Sequence, residues 1–498
     1  MENKYDIIII GAGPGGLECA YILSKQGYKV CVLEKNPKAG GTVQGYRRGG
    51  CEFSAGMHYI GSLDDGQVMN KLFRYFKILN KIRLKRMDED GFEIFEISGK
   101  EYKYPIGHDR FKEQMAGYFP GERKAIDTYI RELKAAAGEV DIYNLKYPVT
   151  YDIRNSKSLT TGAYEYIRRV TENKDLQNVL AAQNFNYAGT KENTPFYTHA
   201  LINNYYLNSA YKLIGGSDQL VDRFVENIEN NGGTVLTNKK AERFIFEDNR
   251  LSGVETAGGE IFFADRFISN IHPALTFGMM DESRLRKSYR NRILNLKNTI
   301  SVFGLHIQLE ENSFPYLNYN YHHWQGNDVW YASNYNPEKW PEYFFLFSAA
   351  KTENNRYSDC VTILTYMKFE EVEKWQHQPS DRRGQDYTDW KTEKADKLLD
   401  LAAKRFPEIK NNMISYSVST PLTLRDYIGT PDGGMYGIMR DYHKPMETYI
   451  FPKTKIPNLF FTGQNVNLHG MLGVSLTALV TCGEFTDINT LIKEINEA

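Results

Sequence analysis

The sequence has no apolar run approaching the roughly 18–20 residues that a membrane-spanning helix requires, and it carries no large charge of either sign. Lys and Arg number 61 against 62 Asp and Glu, a formal net charge of −1. No global field favours a polyanion, so nucleic acid is not an expected partner. Only five cysteines occur in 498 residues, Cys19, Cys31, Cys51, Cys360 and Cys482, and none forms a CxxC pair. An odd count in a large chain points to free thiols in a reduced compartment rather than a disulfide framework, and no metal centre is expected. The opening "MENKYDIIII" has no charged region followed by a long apolar stretch and a cleavage site. It reads directly into a buried strand, so no signal peptide and a cytoplasmic location are expected. Internal repeats, heptads and low-complexity tracts are also missing. What is abundant is the aromatic ring, with 35 Tyr beside 27 Phe. Compositional bias of the source is the plainer explanation; aromatic walls around a flat apolar substrate are the other.

The first 34 residues carry the strongest motif. Ile7 to Ile10 form a β-branched run suited to a central parallel strand buried on both faces. The turn "GAGPGG" follows, Gly11, Ala12, Gly13, Pro14, Gly15 and Gly16. Gly11 permits the tight turn, Gly13 lets a pyrophosphate approach the backbone, and Gly16 lets the next helix pack on the strand. That helix presents Leu17, Ala20 and Leu23 inward and offers its N-terminal N–H groups to phosphate. Val30 to Leu33 read as a second strand, closed by Glu34 and Lys35. A carboxylate at position 34 can accept both ribose hydroxyls of an adenosine and would repel a 2′-phosphate. Strand, glycines, helix and acid fall in register, which makes a dinucleotide site the reading; the motif alone leaves FAD and NAD both open.

The stretch after Glu34 separates them by resemblance. "KNPKAGGTVQGY" places Gly40, Gly41 and Thr42 in a second loop of close approach, and "TGQNVNLHGMLGVSLTALVTCGEF" at 462–485 supplies a strand–loop–helix at the far end. Together with "EFSAGMHYIG" at 52–61, "LIGGSDQLVDRF" at 213–224, "ADRFISN" at 264–270 and "TPLTLRDYIGTPDGGMYGI" at 420–438, these segments resemble the FAD-dependent carotenoid desaturase and isomerase superfamily, phytoene desaturases included. Within it the likeness is strongest to the retinol saturases.

The resemblance implies an α/β fold: an FAD-binding Rossmann-like domain of the glutathione-reductase type with an inserted α+β substrate domain. The FAD domain would be discontinuous, roughly 1–100, 210–300 and 430–498, and the substrate domain would comprise roughly 101–209 and 301–429. FAD would be held at both chain ends. Gly56, Met57 and His58 would lie near the isoalloxazine, Ala241 near the adenine, and Asn270 among the cofactor-binding residues. Gly463 and Gln464 would cap the ribityl chain, and the helix start at Met471, Leu472, Gly473 and Val474 would face the flavin's electron-rich edge. Three positions depart from the group's pattern. Thr42 stands where an arginine commonly follows the glycine pair, Ser54 where an acid is usual, and Asn465 where an acid follows "TGQ".

The implied activity is oxidoreduction at carbon–carbon double bonds of an apolar unsaturated lipid, by saturation, desaturation or isomerisation. The partners are then a small lipid-like substrate and an external electron donor or acceptor, since no second GxGxxG suits a separate nucleotide domain. A flavin amine oxidase and a non-catalytic lipid-binding escort are the alternatives. His58, His469 and His199 are the candidates for handling a proton; Arg425 and Asp426 read as a structural ion pair. Finally, "MNKLFRYFKILNKIRLKRM" holds seven Lys and Arg and no acid, with an apolar stripe through Met69, Leu72, Phe73, Phe76 and Leu79. It is expected to pack on the protein's own core; resting on the inner face of a membrane is the other reading.

Overall fold

Ile7, Ile8 and Ile9 are wholly removed from solvent at the centre of a seven-stranded sheet. The computed structural model describes residues 4–150 and 156–498. Strand β1 (Lys4–Ile10) pairs in parallel with β2 (Val30–Leu33) on one side and with Ile261–Ser269 on the other. Thr234–Leu236 extends the sheet beyond β2, and Arg250–Thr256 and Ala241–Glu247 complete it in antiparallel fashion. A β-branched strand flanked on both sides needs cover on both faces. Helix α1 (Pro14–Lys25) provides one cover, and nearly all of it is buried because Gly470–Cys482 and Asp218–Asn230 pack against it in turn. Leu459–Phe461 joins in parallel to Phe267–Ser269. The last 40 residues therefore return to the sheet begun by the first ten.

A second seven-stranded sheet runs in the order Met413–Ser419, Ser301–Leu309, Cys360–Met367, Tyr343–Ser348, Asn320–Trp324, Glu93–Ile97, Lys100–Tyr104. Only Asn320–Trp324 with Glu93–Ile97 is a parallel pair. Its strands are rich in Phe, Tyr and Ile, and Tyr343–Ser348 and Cys360–Met367 are buried throughout. Helices Arg123–Gly138 and Phe196–Asn208 pack together in the same core. Glu93–Ile97, expected in the first piece of the nucleotide domain, pairs within this second sheet.

One expectation changes, and one is met. Cys51 and Cys360 form a disulfide across 309 residues of sequence, while Cys19, Cys31 and Cys482 are free and buried. The all-thiol expectation fails because the hairpin β3 (Gly45–Arg48)–β4 (Cys51–Ser54) folds onto the second sheet, a proximity that spacing along the chain cannot reveal. The basic stretch forms a short helix, Val68–Tyr75, with Met69, Leu72 and Phe73 completely buried. Its apolar stripe is consumed by the core, and Arg74, Lys81 and Arg86 meet Asp65, Glu226 and Asp64. That removes the motive for a membrane-resting helix. No helix among the described residues is long and apolar enough to cross a membrane.

Candidate active site

The turn after β1 is shaped by sterics. Gly11 has φ +95°, and a Cβ on Gly16 would lie 2.2 Å from the Gly11 carbonyl oxygen. These two glycines fix the turn and seat the helix. Gly13, Gly15 and Gly463 surround a single side chain instead: a Cβ on any of them would come within 2.3–3.0 Å of the Asn270 amide. Asn270 Nδ2 donates to the Gly11 carbonyl at 3.2 Å, so one amide locks the front loop to the closing loop. No side chain caps the start of α1, which leaves first-turn N–H groups available to a ligand. Glu34 is almost fully buried. Its Oε2 accepts from the Ala12 N–H at 2.9 Å and its Oε1 from the Asn36 N–H at 2.8 Å. Gly40 donates its N–H to the Ala12 carbonyl at 2.8 Å, joining the second glycine loop to the first.

These parts wall a cavity of about 680 Å³ that begins at Glu34, Lys35 and Ala241, passes Gly11, Gly13 and Gly15, and reaches Gln464. Asn270, Gly41 and Thr42 also face it. A second cavity of about 620 Å³ continues from there. Pro14, Thr42, Tyr427, Ile428, Gln464 and Val474 line both. The second cavity takes Gly56, Met57, His58 and Met471 from the expected set, and aromatic rings make up much of the rest of its wall. Of the residues expected at the cofactor, six line neither cavity, Ala12, Gly16, Gly40, Gly463, Leu472 and Gly473, and of the three candidate histidines His199 and His469 line neither. Leu472 packs in the core, and Gly473 exists because a Cβ there would meet the Leu468 carbonyl carbon at 2.6 Å. Thr42 touches Gly56 across the junction, Ser54 Oγ lies 3.1 Å from Ser217 Oγ, and the Asn465 amide oxygen accepts from the Ile438 N–H at 3.2 Å.

The three histidines part company. His58 faces the aromatic cavity with its ring 4.0 Å from Phe347. Its Nδ1 is buried and has no hydrogen-bond partner among the described residues. Burial, and then the charges of His306 and Lys212, push its pKa down to about 3. His469 bonds through Nε2 to the Asn186 carbonyl at 3.0 Å and stacks on Tyr436 at 4.2 Å. His199 is a correction. It is fully buried between the Tyr129 and Tyr187 hydroxyls, each 2.8 Å from a ring nitrogen, and lines neither cavity. It ties Tyr129 and Tyr187 together through its two ring nitrogens. Arg425 and Asp426 form the expected ion pair at 2.8 Å, joined by Arg383.

Sequence reasoning missed His306, Tyr59, Asn186 and Tyr206, all on the wall of the aromatic cavity. His306 Nε2 lies 3.0 Å from Ser419 Oγ, and burial lowers its pKa to about 3. A signal existed for it: alternation in "SVFGLHIQL" puts Val302 and His306 on one face of a strand. Asn186 and Tyr206 have no comparable periodic signature, since they come from a 3₁₀ stretch and a helix end brought together only by folding.

Comparison with known proteins agrees with this geometry. The NAD(P)-binding Rossmann-like domain family matches residues 9–76. The all-trans-retinol 13,14-reductase of Rattus norvegicus is 27% identical over 525 residues, covering 96% of this chain and 85% of the relative. Prolycopene isomerase 1 of an Oncidium hybrid cultivar is 23% identical over 499 residues, covering 93% and 80%. Among solved structures, a cofactor-binding variant of putrescine oxidase superposes with a TM-score of 0.65 at 14% identity, covering 98% of this chain and 99% of the other. Over nearly all its length the chain resembles the retinol 13,14-reductases and prolycopene isomerases, the group its own segments point to, on an α/β fold with a Rossmann-like nucleotide domain.

Proposed function

We propose that the chain is an FAD-dependent oxidoreductase acting on carbon–carbon double bonds of an apolar unsaturated lipid, a polyene of retinoid or carotenoid type. The observation that carries the reading is the meeting of two cavities at Thr42, Gln464 and Val474, one bounded by the glycine turn and Glu34 and the other by aromatic side chains. The residues suit a dinucleotide. Gly11, Gly13, Gly15 and Gly41 border the first cavity, the start of α1 is uncapped, and the buried Nδ1 of His58 lacks a partner among the described residues on the wall of the second.

In this reading Glu34, Lys35 and Ala241 hold the adenosine, and Gly11, Gly13, Gly15 and Asn270 border the pyrophosphate. Gly41, Thr42, Gln464, Met471 and Val474 surround the ribityl chain and flavin. A bound flavin supplies two-electron chemistry as a hydride donor or acceptor. The protein's own part is to exclude water, to align a flat apolar chain against aromatic walls, and to manage one proton. Electrons enter or leave through an external partner. The retinol-reductase and prolycopene-isomerase names of the relatives support both the substrate class and the choice between saturation and isomerisation.

The test begins with the purified protein, which should be yellow and release FAD on denaturation. Under anaerobic conditions the flavin is reduced with dithionite, excess reductant is removed, and polyenes, unsaturated lipids and amines are added in turn. Flavin reoxidation with a product two mass units heavier marks a saturase, and unchanged mass with altered retention marks an isomerase. Silence toward every unsaturated lipid, with bleaching of the oxidised flavin by an amine, would replace the reading with an amine oxidase. A colourless protein that cannot be reconstituted with FAD would favour an escort.

A further inference from the structure

The wall of the aromatic cavity carries two permanent charges, and both are positive. Arg47 and Arg48 line it, and no Asp, Glu or Lys does. A guanidinium does not give up its proton. His58 and His306, held near a pKa of about 3, are neutral on the same wall at neutral pH. Both arginines are exposed, so the charge stands at the rim where the cavity meets solvent. Elsewhere the wall is largely apolar, with Phe185, Phe345, Leu364 and Met435. The cavity is therefore amphipathic, cationic at its opening and uncharged within.

Arg48 is the freer of the two cations. Arg47 meets Glu52 at 3.3 Å across the hairpin, whereas Arg48 has no carboxylate partner among the described residues. Burial, and then the charges of Arg383 and Arg48, lower the pKa of Lys391, so the ionised group nearby adds to the positive potential. The place of Arg48 is fixed by the fold. It pairs with Cys51 across β3 and β4, and the disulfide from Cys51 to Cys360 fastens that point to an interior strand of the second sheet. The turn that follows is seated on Ser301–Leu309, since a Cβ on Gly49 would run into Gln308 Oε1. Two residues before Arg48, the Tyr46 ring packs edge-on against His306 at 5.6 Å. Backbone anchored on both sides thus presents an unpaired guanidinium beside an apolar cavity.

We propose that the polyene bound in this cavity ends in a carboxylate, and that Arg48, assisted by Arg47, holds that head at the rim while the apolar chain lies inward. The proposal rests on the reading of this cavity as the polyene site. A guanidinium offers a carboxylate two parallel N–H donors. A carboxylate carried along the apolar wall would be desolvated without a partner, so the head stays at the rim. One unpaired guanidinium suits a single negative charge better than the two of a phosphate monoester. An alkylammonium head is repelled, which separates this site from that of an amine oxidase. Arg48 and Arg47 determine specificity and take no part in the redox step.

The test is a binding series on the purified, oxidised holoprotein, read by polyene quenching of intrinsic fluorescence. The probes share one chain and differ in the head: retinoic acid, retinol, methyl retinoate, retinyl phosphate and retinylamine. At pH 8 and low salt the acid should bind at least about tenfold tighter than the alcohol or the ester, and the amine most weakly. Arg48→Gln should bring acid and alcohol within about twofold of each other, and Arg48→Glu should reverse their order. Arg48→Lys, which keeps the charge and loses the fork, should retain part of the preference. Raising the ionic strength should weaken the acid and leave the alcohol unaffected. Each variant should keep full flavin content, because the side chain is exposed. Equal binding of acid and alcohol by wild type, or an acid preference that survives Arg48→Gln and Arg47→Gln together, overturns the inference and leaves the proposed function standing. Tighter binding of the phosphate than of the acid overturns the carboxylate head. Tightest binding of the amine removes both the inference and the proposed function. If no probe binds, the inference falls, and reoxidation of the reduced flavin by a carotenoid decides the proposed function separately.

Discussion

Gly463→Ala adds a single methyl group, yet it should loosen the joint between the two ends of the chain. Gly463 has φ +88°, where an L-residue pays about 1–2 kcal/mol for the left-handed backbone. The new Cβ would stand 2.3 Å from Asn270 Oδ1, so the amide must move. Moving it forfeits the bond from Asn270 Nδ2 to the Gly11 carbonyl, worth about 1 kcal/mol. The combined loss is about 2–3 kcal/mol, concentrated where the closing loop meets the glycine turn. The assay is a cycle of Gly463→Ala, Asn270→Ala and the double variant, read by urea unfolding and by flavin retained after gel filtration. Because the clash and the lost bond share one side chain, the double variant should cost about 1 kcal/mol less than the sum of the singles. Flavin loss should follow Gly463→Ala alone. A Gly463→Ala protein within about 0.5 kcal/mol of wild type, or strictly additive costs, would refute this account of the joint.

Other outcomes follow from buried titratable groups and from the cysteines. Burial holds His199 near a pKa of about 3, below the 6.5 of an exposed histidine, so the unfolded chain takes up a proton first as pH falls. Its contribution is intact above about pH 6.5 and is lost toward pH 3 at about 1.4 kcal/mol per pH unit; in His199→Gln the fall in unfolding free energy with acid should be shallower, and an unchanged slope would place the titration elsewhere. Glu18 behaves oppositely. Burial raises its carboxyl well above the usual range, and Ser475 Oγ donates to Oε1 at 2.7 Å while Oε2 has no partner among the described residues. Stability from its protonated form is present at low pH and is lost as pH rises through the folded pKa, so Glu18→Gln should raise the thermal midpoint more at pH 8 than at pH 5. Alkylation of the denatured, unreduced protein should label Cys19, Cys31 and Cys482, while Cys51 and Cys360 react only after reduction; five labels without reductant would remove the disulfide.

The sequence by itself determined the nucleotide end of this molecule. β1, α1, the glycine turn and Glu34 are contiguous, and each depends on local geometry: a β-branched strand, a turn with φ +95° at Gly11, and a helix seated by a residue without a side chain at Gly16. The return of Leu459–Phe461 to the same sheet was legible too, through its resemblance to known closing segments. Even there, tertiary packing changed individual parts. Glu34 spends a lone pair of each oxygen on the Ala12 and Asn36 N–H groups, and Gly463 accommodates Asn270 rather than lining a cavity. The aromatic cavity was decided by the fold. Its wall joins Tyr59 and Tyr206 to His306, residues as much as 247 positions apart that no periodic pattern links. The same holds for Cys51 with Cys360 and for Glu93 with His322. Local motifs follow from the conformational limits of neighbouring residues. Chemistry assembled from separate strands arises only when long-range burial closes one sheet against the other elements, and the chain order does not record which side chains then meet.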